Sequence, residues 1–359
     1  MNFTLIEPDL GRISGGLRFN AELCAASGGR LERIVAPGAW PEPSDDDVRR
    51  LRQLVAECQS GSNDEPNAQS RPVLIDGLIG CSLSTSLPGP IVMLQHSLAQ
   101  TPASEHREGQ HLRAASAVVT PSAFAAAEVT RRYGITAEVA QPGTHRRPLT
   151  QPDLSPSPSL SISLSAVGAA GSGDSSGQRT AHFICLGAME DNKNQLFLSC
   201  VLQELRRRGV TGWRCTLAGP ITDTVYAQDV DDALEGLASV ERVGELDKDA
   251  VDDLYRHADL LLLPSKAESF GMVVREAAAA AIPSFVTAGT GAEEALGAGR
   301  GLALDVSTWA DSLERWLGDE ADRAELAAKA LAARESAMHE WADTARTVLA
   351  VLDGVERVL

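Results

Sequence analysis

A chain of 359 residues with 49 acidic against 32 basic side chains, net −17 at pH 7, has room for two ordinary domains. That charge disfavours nucleic acid as a partner and electrostatic adhesion to an anionic bilayer. Aromatic content is low, at 4%, and helical patterns alternate with strand-like ones, which argues an α/β architecture.

The six cysteines, at positions 24, 58, 81, 185, 200 and 215, are scattered without a C-x-x-C pair or a histidine cluster. They read as reduced residues of a cytoplasmic protein. The opening MNFTLIEPDLGR lacks the basic and apolar pattern of a signal peptide, and no run is long and apolar enough for a membrane helix. A soluble, cytoplasmic protein is expected.

Asn2 to Glu7 forms the first strand candidate, followed by a Gly15-Gly16 turn and helical periodicity from Leu17 to Ala26. A strand, a glycine turn and a helix make a loop that lets backbone approach a phosphate, although such a turn is also a common tight connection. Arg33–Ala36 and Val73–Asp76 read as further strands, separated by an acidic helix from Ser44, its N-cap, to Glu57, and by the polar loop QSGSNDEPNAQSRP. Ile91–Leu94 is a buried strand ending in Gln95-His96-Ser97, which sets a histidine at the crevice end of a sheet. LRAASAVVT, from Leu112 to Thr120, is a strand candidate, and Ser122 caps the helix that follows. Arg131 and Arg132 read as a solvated helix face, and AEVAQPG closes this half.

Residues 149–179 are rich in Ser, Pro and Gly with few large apolar side chains, so they read as a flexible linker between domains. Residues 1–148 form the first domain and residues 180–335 the second. The helical tail from 336 to 359 carries an apolar face of Trp341, Val348, Leu349, Leu352 and Val355 that is expected to pack back on the first domain.

The second domain opens with the buried strand Ala181–Gly187, the loop AMEDNKNQ and a helix with Asn194 as its N-cap, ended by Gly209. Trp213–Gly219 and Val240–Gly244 are strands, and Asp247 caps a short amphipathic helix. Then comes DLLLLPSKAESFGMVVREAAAAAIPSFVT. Leu260–Leu263 is a strand buried on both faces, SKAESFG is a loop, Met272–Ala281 is a helix stopped by Pro283, and Ser284–Val286 is the next strand. Glu268 and Glu276 bracket the loop-to-helix turn, whose free N–H groups also suit an anion.

ESFGMVVRE, with glutamates eight apart between two buried strands, resembles the E-x(7)-E signature of retaining glycosyltransferases of family 4. That family belongs to the glycogen-synthase-like and phosphatidylinositol-mannosyltransferase-like superfamily. The resemblance is strong over 181–303, moderate over 91–143 and weak before that. It implies the GT-B fold, two Rossmann-like doubly wound parallel-sheet domains facing a central cleft. It also implies retaining transfer of a hexose-type sugar from a UDP- or GDP-sugar to a hydroxyl of a glycan, lipid or metabolite. No cofactor, metal or nucleic acid is implied; a homodimer remains open.

By the same resemblance, Glu268 receives hydrogen bonds from the sugar hydroxyls, His96 lies beside the sugar, and Lys193 holds the diphosphate. Gly15, Gly16 and Gly187 let backbone approach the donor, Leu246 sits at the base, and Ser269, Phe270, Gly271 and Met272 form the helix amino terminus over the phosphates. Glu276 binds the ribose hydroxyls. Two positions depart from the pattern: Ala188 stands where an arginine pairs with the lysine, and Gln141-Pro142-Gly143 lacks the usual asparagine. Arg12 or Arg18 is the expected substitute for the missing cation. The first domain offers no clear carboxylate at the matching strand ends, so front-face substitution is expected over double displacement. Two alternatives are a non-catalytic nucleotide-sugar-binding GT-B protein and a GT-B epimerase or phosphorylase, although no lysine has a setting suited to pyridoxal.

Overall fold

The computed structural model describes residues 2–12, 14–60, 70–147, 180–335 and 338–358. The expected linker at 149–179 and residues 61–69 of the expected polar loop lie outside the described residues.

The first sheet is built from β1 (Phe3–Pro8), β2 (Leu31–Ala36), β3 (Val73–Asp76), β4 (Ile91–Leu94), β5 (Ala117–Thr120) and the short β6 (Glu138–Val139). Its helices are α1 (Gly15–Ala26), α2 (Asp45–Ser60), the single turn α3 (Gly77–Gly80), α4 (Pro102–Ala114) and α5 (Ala123–Tyr133). The order is β2-β1-β3-β4-β5-β6, and every pairing is parallel.

The second sheet contains β7 (Ala181–Leu186), β8 (Trp213–Ala218), β9 (Val240–Gly244), β10 (Leu260–Leu263), β11 (Ser284–Thr287) and β12 (Gly299–Leu302). Around it lie α6 (Gln195–Arg207), α7 (Thr224–Ala233), α8 (Lys248–His257), α9 (Met272–Ala279), α10 (Val306–Gly318) and α11 (Glu320–Ala333), and α12 (Trp341–Val358) ends the chain. Its order, β12-β11-β10-β7-β8-β9, is also all parallel and is the Rossmann order. The strand order reverses beside β1 in one sheet and beside β7 in the other, so each sheet opens a crevice at the carboxyl ends of its central strands.

The central strands β3, β4, β10 and β11 are buried along their whole length, which is why they read as nearly unbroken apolar runs. In β10, Leu260 and Leu262 join one core with Phe183, Trp213 and Trp309, whereas Leu261 and Leu263 join another with Tyr255, Phe270 and Val274. α12 covers the first sheet: Trp341, Val348 and Leu352 pack with Phe3, Leu5 and Phe19. Two bonds tie it there, as the Thr144 N–H donates to His339 O (2.7 Å) and the Thr344 hydroxyl to Gln141 O (2.6 Å).

Several local expectations need correction. Leu112 to Ala114 close α4, and only Ala117–Thr120 is strand. Arg132 ties α5 to its neighbour, donating to Ala99 O (2.7 Å) and to Glu105 (3.1 Å), and is not a freely solvated side chain. Asn194 occupies the N-cap position of α6 in a left-handed conformation (φ 59°) but bonds no helical N–H; its amide donates to Pro264 O at 3.1 Å.

Candidate functional site

The loops after β7 and β10 are stitched together by Asn192. Its Oδ1 accepts from the Ala267 N–H (3.2 Å), its Nδ2 donates to Ala267 O (3.1 Å), and its carbonyl accepts from the Lys266 N–H (2.8 Å). This clamp brings Lys193 Nζ to 2.6 Å from Glu268 Oε1. Gly187 makes room for the lysine stem, because a Cβ there would lie 3.3 Å from Lys193 Cγ. Burial opposes the ammonium charge, yet Glu268 and Glu190 together hold the Lys193 pKa above its ordinary value.

Gly271, at φ +83°, turns the chain into α9 in a conformation that favours glycine. Phe270 before it is buried, and the Arg275 guanidinium lies 5.4 Å from its ring centroid. Met272 packs against the cores of both domains, and Leu246 packs against the second-domain core beside it. One turn into α9, Glu276 is buried and fully engaged. Its Oε1 lies 2.7 Å from Arg18 Nη1; its Oε2 accepts from Arg147 Nη2 (3.0 Å) and from the Tyr255 hydroxyl (3.1 Å). Arg147 also pairs with Asp252 and lies 4.5 Å from the Tyr255 ring centroid. Burial, reinforced by Glu276, pushes the Tyr255 phenol pKa well up.

On the first sheet, Gly15 and Gly16 begin α1 after β1. Gly16 packs so tightly against His96 that a Cβ would fall 3.0 Å from the ring. His96 Nε2 lies 2.8 Å from Asn20 Oδ1 and 3.6 Å from Asp76 Oδ2. Burial lowers the His96 pKa, with Asp76 opposing. The expected lack of a carboxylate at these strand ends is therefore wrong: Asp76 closes β3, and Glu7 lies near the end of β1. Asp76 was legible as a charged residue ending an apolar run. Asn20, Arg147 and Tyr255 carried no comparable signal.

The two halves meet around these groups. Arg18 reaches Glu276, Arg12 comes within 4.0 Å of Glu190, and the Ser122 hydroxyl donates to Ser269 O. Both candidate substitutes for the missing arginine thus face the second domain, each already beside a glutamate. Among the described residues, no group of three or more His, Cys, Asp or Glu side chains is arranged to hold a metal ion, and no helix is long and apolar enough to cross a membrane.

Residues 176–332 match the family model for glycosyl transferases group 1. A D-inositol 3-phosphate glycosyltransferase of Mycolicibacterium smegmatis is 36% identical over 102 residues, 27% of this chain and 23% of that protein. Another, from Pseudarthrobacter chlorophenolicus, is 25% identical over 353 residues, covering 89% of this chain and 79% of that protein. The stronger local alignments thus span about a quarter of the relatives they match. Among solved structures, the Anabaena protein HepE in complex with UDP and glucose superposes with a TM-score of 0.70 at 14% identity, covering 98% of this chain and 100% of that one. The second-domain match and the paired parallel sheets agree: residues 176–332 are similar to glycosyl transferases group 1, and the chain as a whole has the GT-B fold of its structural neighbours.

Proposed function

We propose that the chain is a retaining hexosyltransferase that moves a sugar from a nucleotide diphosphate to an acceptor hydroxyl in the cleft between residues 1–148 and 180–335. The observation that carries this reading is a pair of cation–carboxylate contacts at one turn, Lys193 with Glu268 and Arg18 with Glu276. Each glutamate could release its cation to a diphosphate and take sugar or ribose hydroxyls instead. Lys193, the N–H groups at Gly271 and Met272 and the Gly15-Gly16 backbone would then stabilise charge building on the leaving group. Glu268 would accept from the sugar hydroxyls and Glu276 from the ribose, with Leu246, Ser269 and Phe270 around the nucleotide and Gly187 making room for Lys193. The titles of the HepE structures name UDP and UDP-glucose, which supports a nucleotide-sugar donor.

Asp76 is 3% exposed and sits behind Asn20, poorly set to attack an anomeric carbon. That favours front-face substitution. The acceptor oxygen bonds to the anomeric carbon on the face from which the diphosphate departs, the carbon–oxygen bond to phosphate breaks, and the acceptor proton passes to the leaving phosphate. The cysteines are free, in keeping with a cytoplasmic setting. A second reading, a non-catalytic nucleotide-sugar binder, is favoured by Ala188 in place of the arginine.

Calorimetric titration with UDP, GDP and ADP tests both, repeated on Glu276→Ala and Lys193→Ala. One nucleotide should bind, and each substitution should weaken it by about 1–3 kcal/mol. Binding without sugar transfer to any acceptor leaves the second reading; no binding at millimolar nucleotide ends both.

A further inference from the structure

Behind His96 lies a chain of polar groups that neither the nucleotide site nor the phosphate loop uses. Asn20 is fully buried, and its Nδ2 donates to Asp76 Oδ2 at 2.9 Å. The other Asp76 oxygen accepts from the Leu78 N–H at 2.9 Å. Glu7 stands beside them, 3% exposed, with Oε2 unpartnered, and burial raises its pKa.

The bonding inventory fixes the direction of this chain. A carboxylate only accepts, so the Asn20 edge facing Asp76 must be its NH2 group. Its Oδ1 therefore faces His96 at 2.8 Å. An amide oxygen also only accepts, so the proton in that contact belongs to His96 Nε2. A neutral imidazole protonated at Nε2 carries its lone pair at Nδ1. Among the described residues Nδ1 has no hydrogen-bond partner, and the side chain keeps 15% of its surface exposed. The Gly16 contact on one side and the Phe19 ring at 4.9 Å leave the imidazole little freedom to turn.

We propose that Asp76 is a positioning residue: through Asn20 it holds His96 as the Nε2–H tautomer and presents Nδ1 to the cleft as a hydrogen-bond acceptor. The group His96 receives is then a hydroxyl, of donor sugar or acceptor, and not a phosphate or carboxylate, which has no proton to give. The Asp76 carboxylate behind Asn20 adds negative potential that disfavours an anion there. This inference rests on the transferase reading for its substrate, but the tautomer can be measured without turnover.

The test is two-bond proton–nitrogen NMR on the full chain labelled with 15N-histidine, with His96 assigned by its loss in His96→Gln. The wild-type spectrum should show a protonated Nε2 and an unprotonated Nδ1, and a saturating nucleotide sugar (UDP-glucose, GDP-mannose or ADP-glucose in turn) should shift Nδ1. Asp76→Asn, whose amide can turn Asn20 around, should mix or reverse the tautomer and lower kcat by about tenfold or more. Donor KM should stay within about threefold, and Asp76→Glu should restore part of the rate. If Asp76→Asn does not fold, Asn20→Leu serves, since it removes both bonds without adding charge. A wild-type Nδ1–H tautomer, or a tautomer indifferent to both substitutions, overturns the proposal. A correct tautomer in a protein that transfers no sugar overturns the transferase reading and leaves the relay standing.

Discussion

Arg18 of the first domain and Glu276 of the second form a 2.7 Å ion pair, and Arg147 meets the same carboxylate at 3.0 Å. The two arginines differ in burial, with side-chain exposures of 39% for Arg18 and 8% for Arg147, and so should differ in effect. Removing Arg147 strips Glu276 and Asp252 of a buried partner, so Arg147→Leu should destabilise the fold by about 3 kcal/mol or more. Removing half-exposed Arg18 should cost under about 1 kcal/mol. Its nucleotide affinity should nevertheless fall by about tenfold, roughly 1.4 kcal/mol, if Arg18 supplies the diphosphate cation that Ala188 cannot. Urea denaturation and calorimetry on the two variants separate these outcomes; equal stability losses would show Arg18 to be a structural tie.

Glu294 makes a second contact between the two halves. Its carboxylate accepts from the Ala123 N–H (3.0 Å) and the Phe124 N–H (2.8 Å), so a second-domain side chain satisfies the amino terminus of a first-domain helix. Glu294→Ala should cost about 1 kcal/mol of stability, as loss of a helix cap does. It should also raise the radius of gyration measured by small-angle X-ray scattering, and added nucleotide should reverse that increase. Unchanged scattering with unchanged stability would mean that the contact holds nothing.

The parallel sheets were legible because strands buried on two faces leave continuous apolar runs, as in Leu260–Leu263, and the Glu268-to-Glu276 turn was legible because its spacing is local. α4 was not. Its inward face is mostly polar or small, with Leu112 the one large apolar side chain beside Glu108, Gly109 and His111. Gln95, Tyr133 and the Leu83 carbonyl satisfy Glu108 and His111, so hydrophobic periodicity had little to detect. Arg147 escaped for a different reason: it lies 129 positions from Glu276, and an ion pair over that separation leaves no mark in either local sequence. Asn194 was read as a cap from residue type alone, whereas its left-handed backbone turns the amide toward Pro264.

Buried neutral histidines make stability depend on pH. Burial lowers the pKa of both His96 and His111 below the ordinary value of 6.5. Between that value and the lowered one the unfolded chain binds more protons, so their contribution to stability is lost as pH falls. Glu7 and Glu108, raised by burial, act in the opposite sense at lower pH, so a difference measurement is needed. The stability advantage of wild type over His111→Gln should shrink from about pH 7.5 to about pH 5.5, by up to roughly 1.4 kcal/mol per unit of pKa depression. A constant difference across that range would mean that His111 does not titrate anomalously.

Gly15 and Gly16 should behave differently although they are neighbours. A Cβ at Gly15 meets nothing within 4 Å, whereas one at Gly16 meets the His96 ring at 3.0 Å. Alanine suits a helical position better than glycine, so Gly15→Ala should be neutral or stabilising by about 0.5–1 kcal/mol. Its nucleotide affinity should fall if the diphosphate lies against that backbone. Gly16→Ala must displace the imidazole or the turn, which breaks the 2.8 Å contact between His96 and Asn20. If His96 contacts the sugar as proposed, Gly16→Ala should lower kcat by about tenfold or more, because a small misplacement of such a group is expensive in rate. Nucleotide affinity should change less in Gly16→Ala than in Gly15→Ala. The reverse ranking would put the diphosphate at Gly16 and remove His96 from the sugar's surroundings.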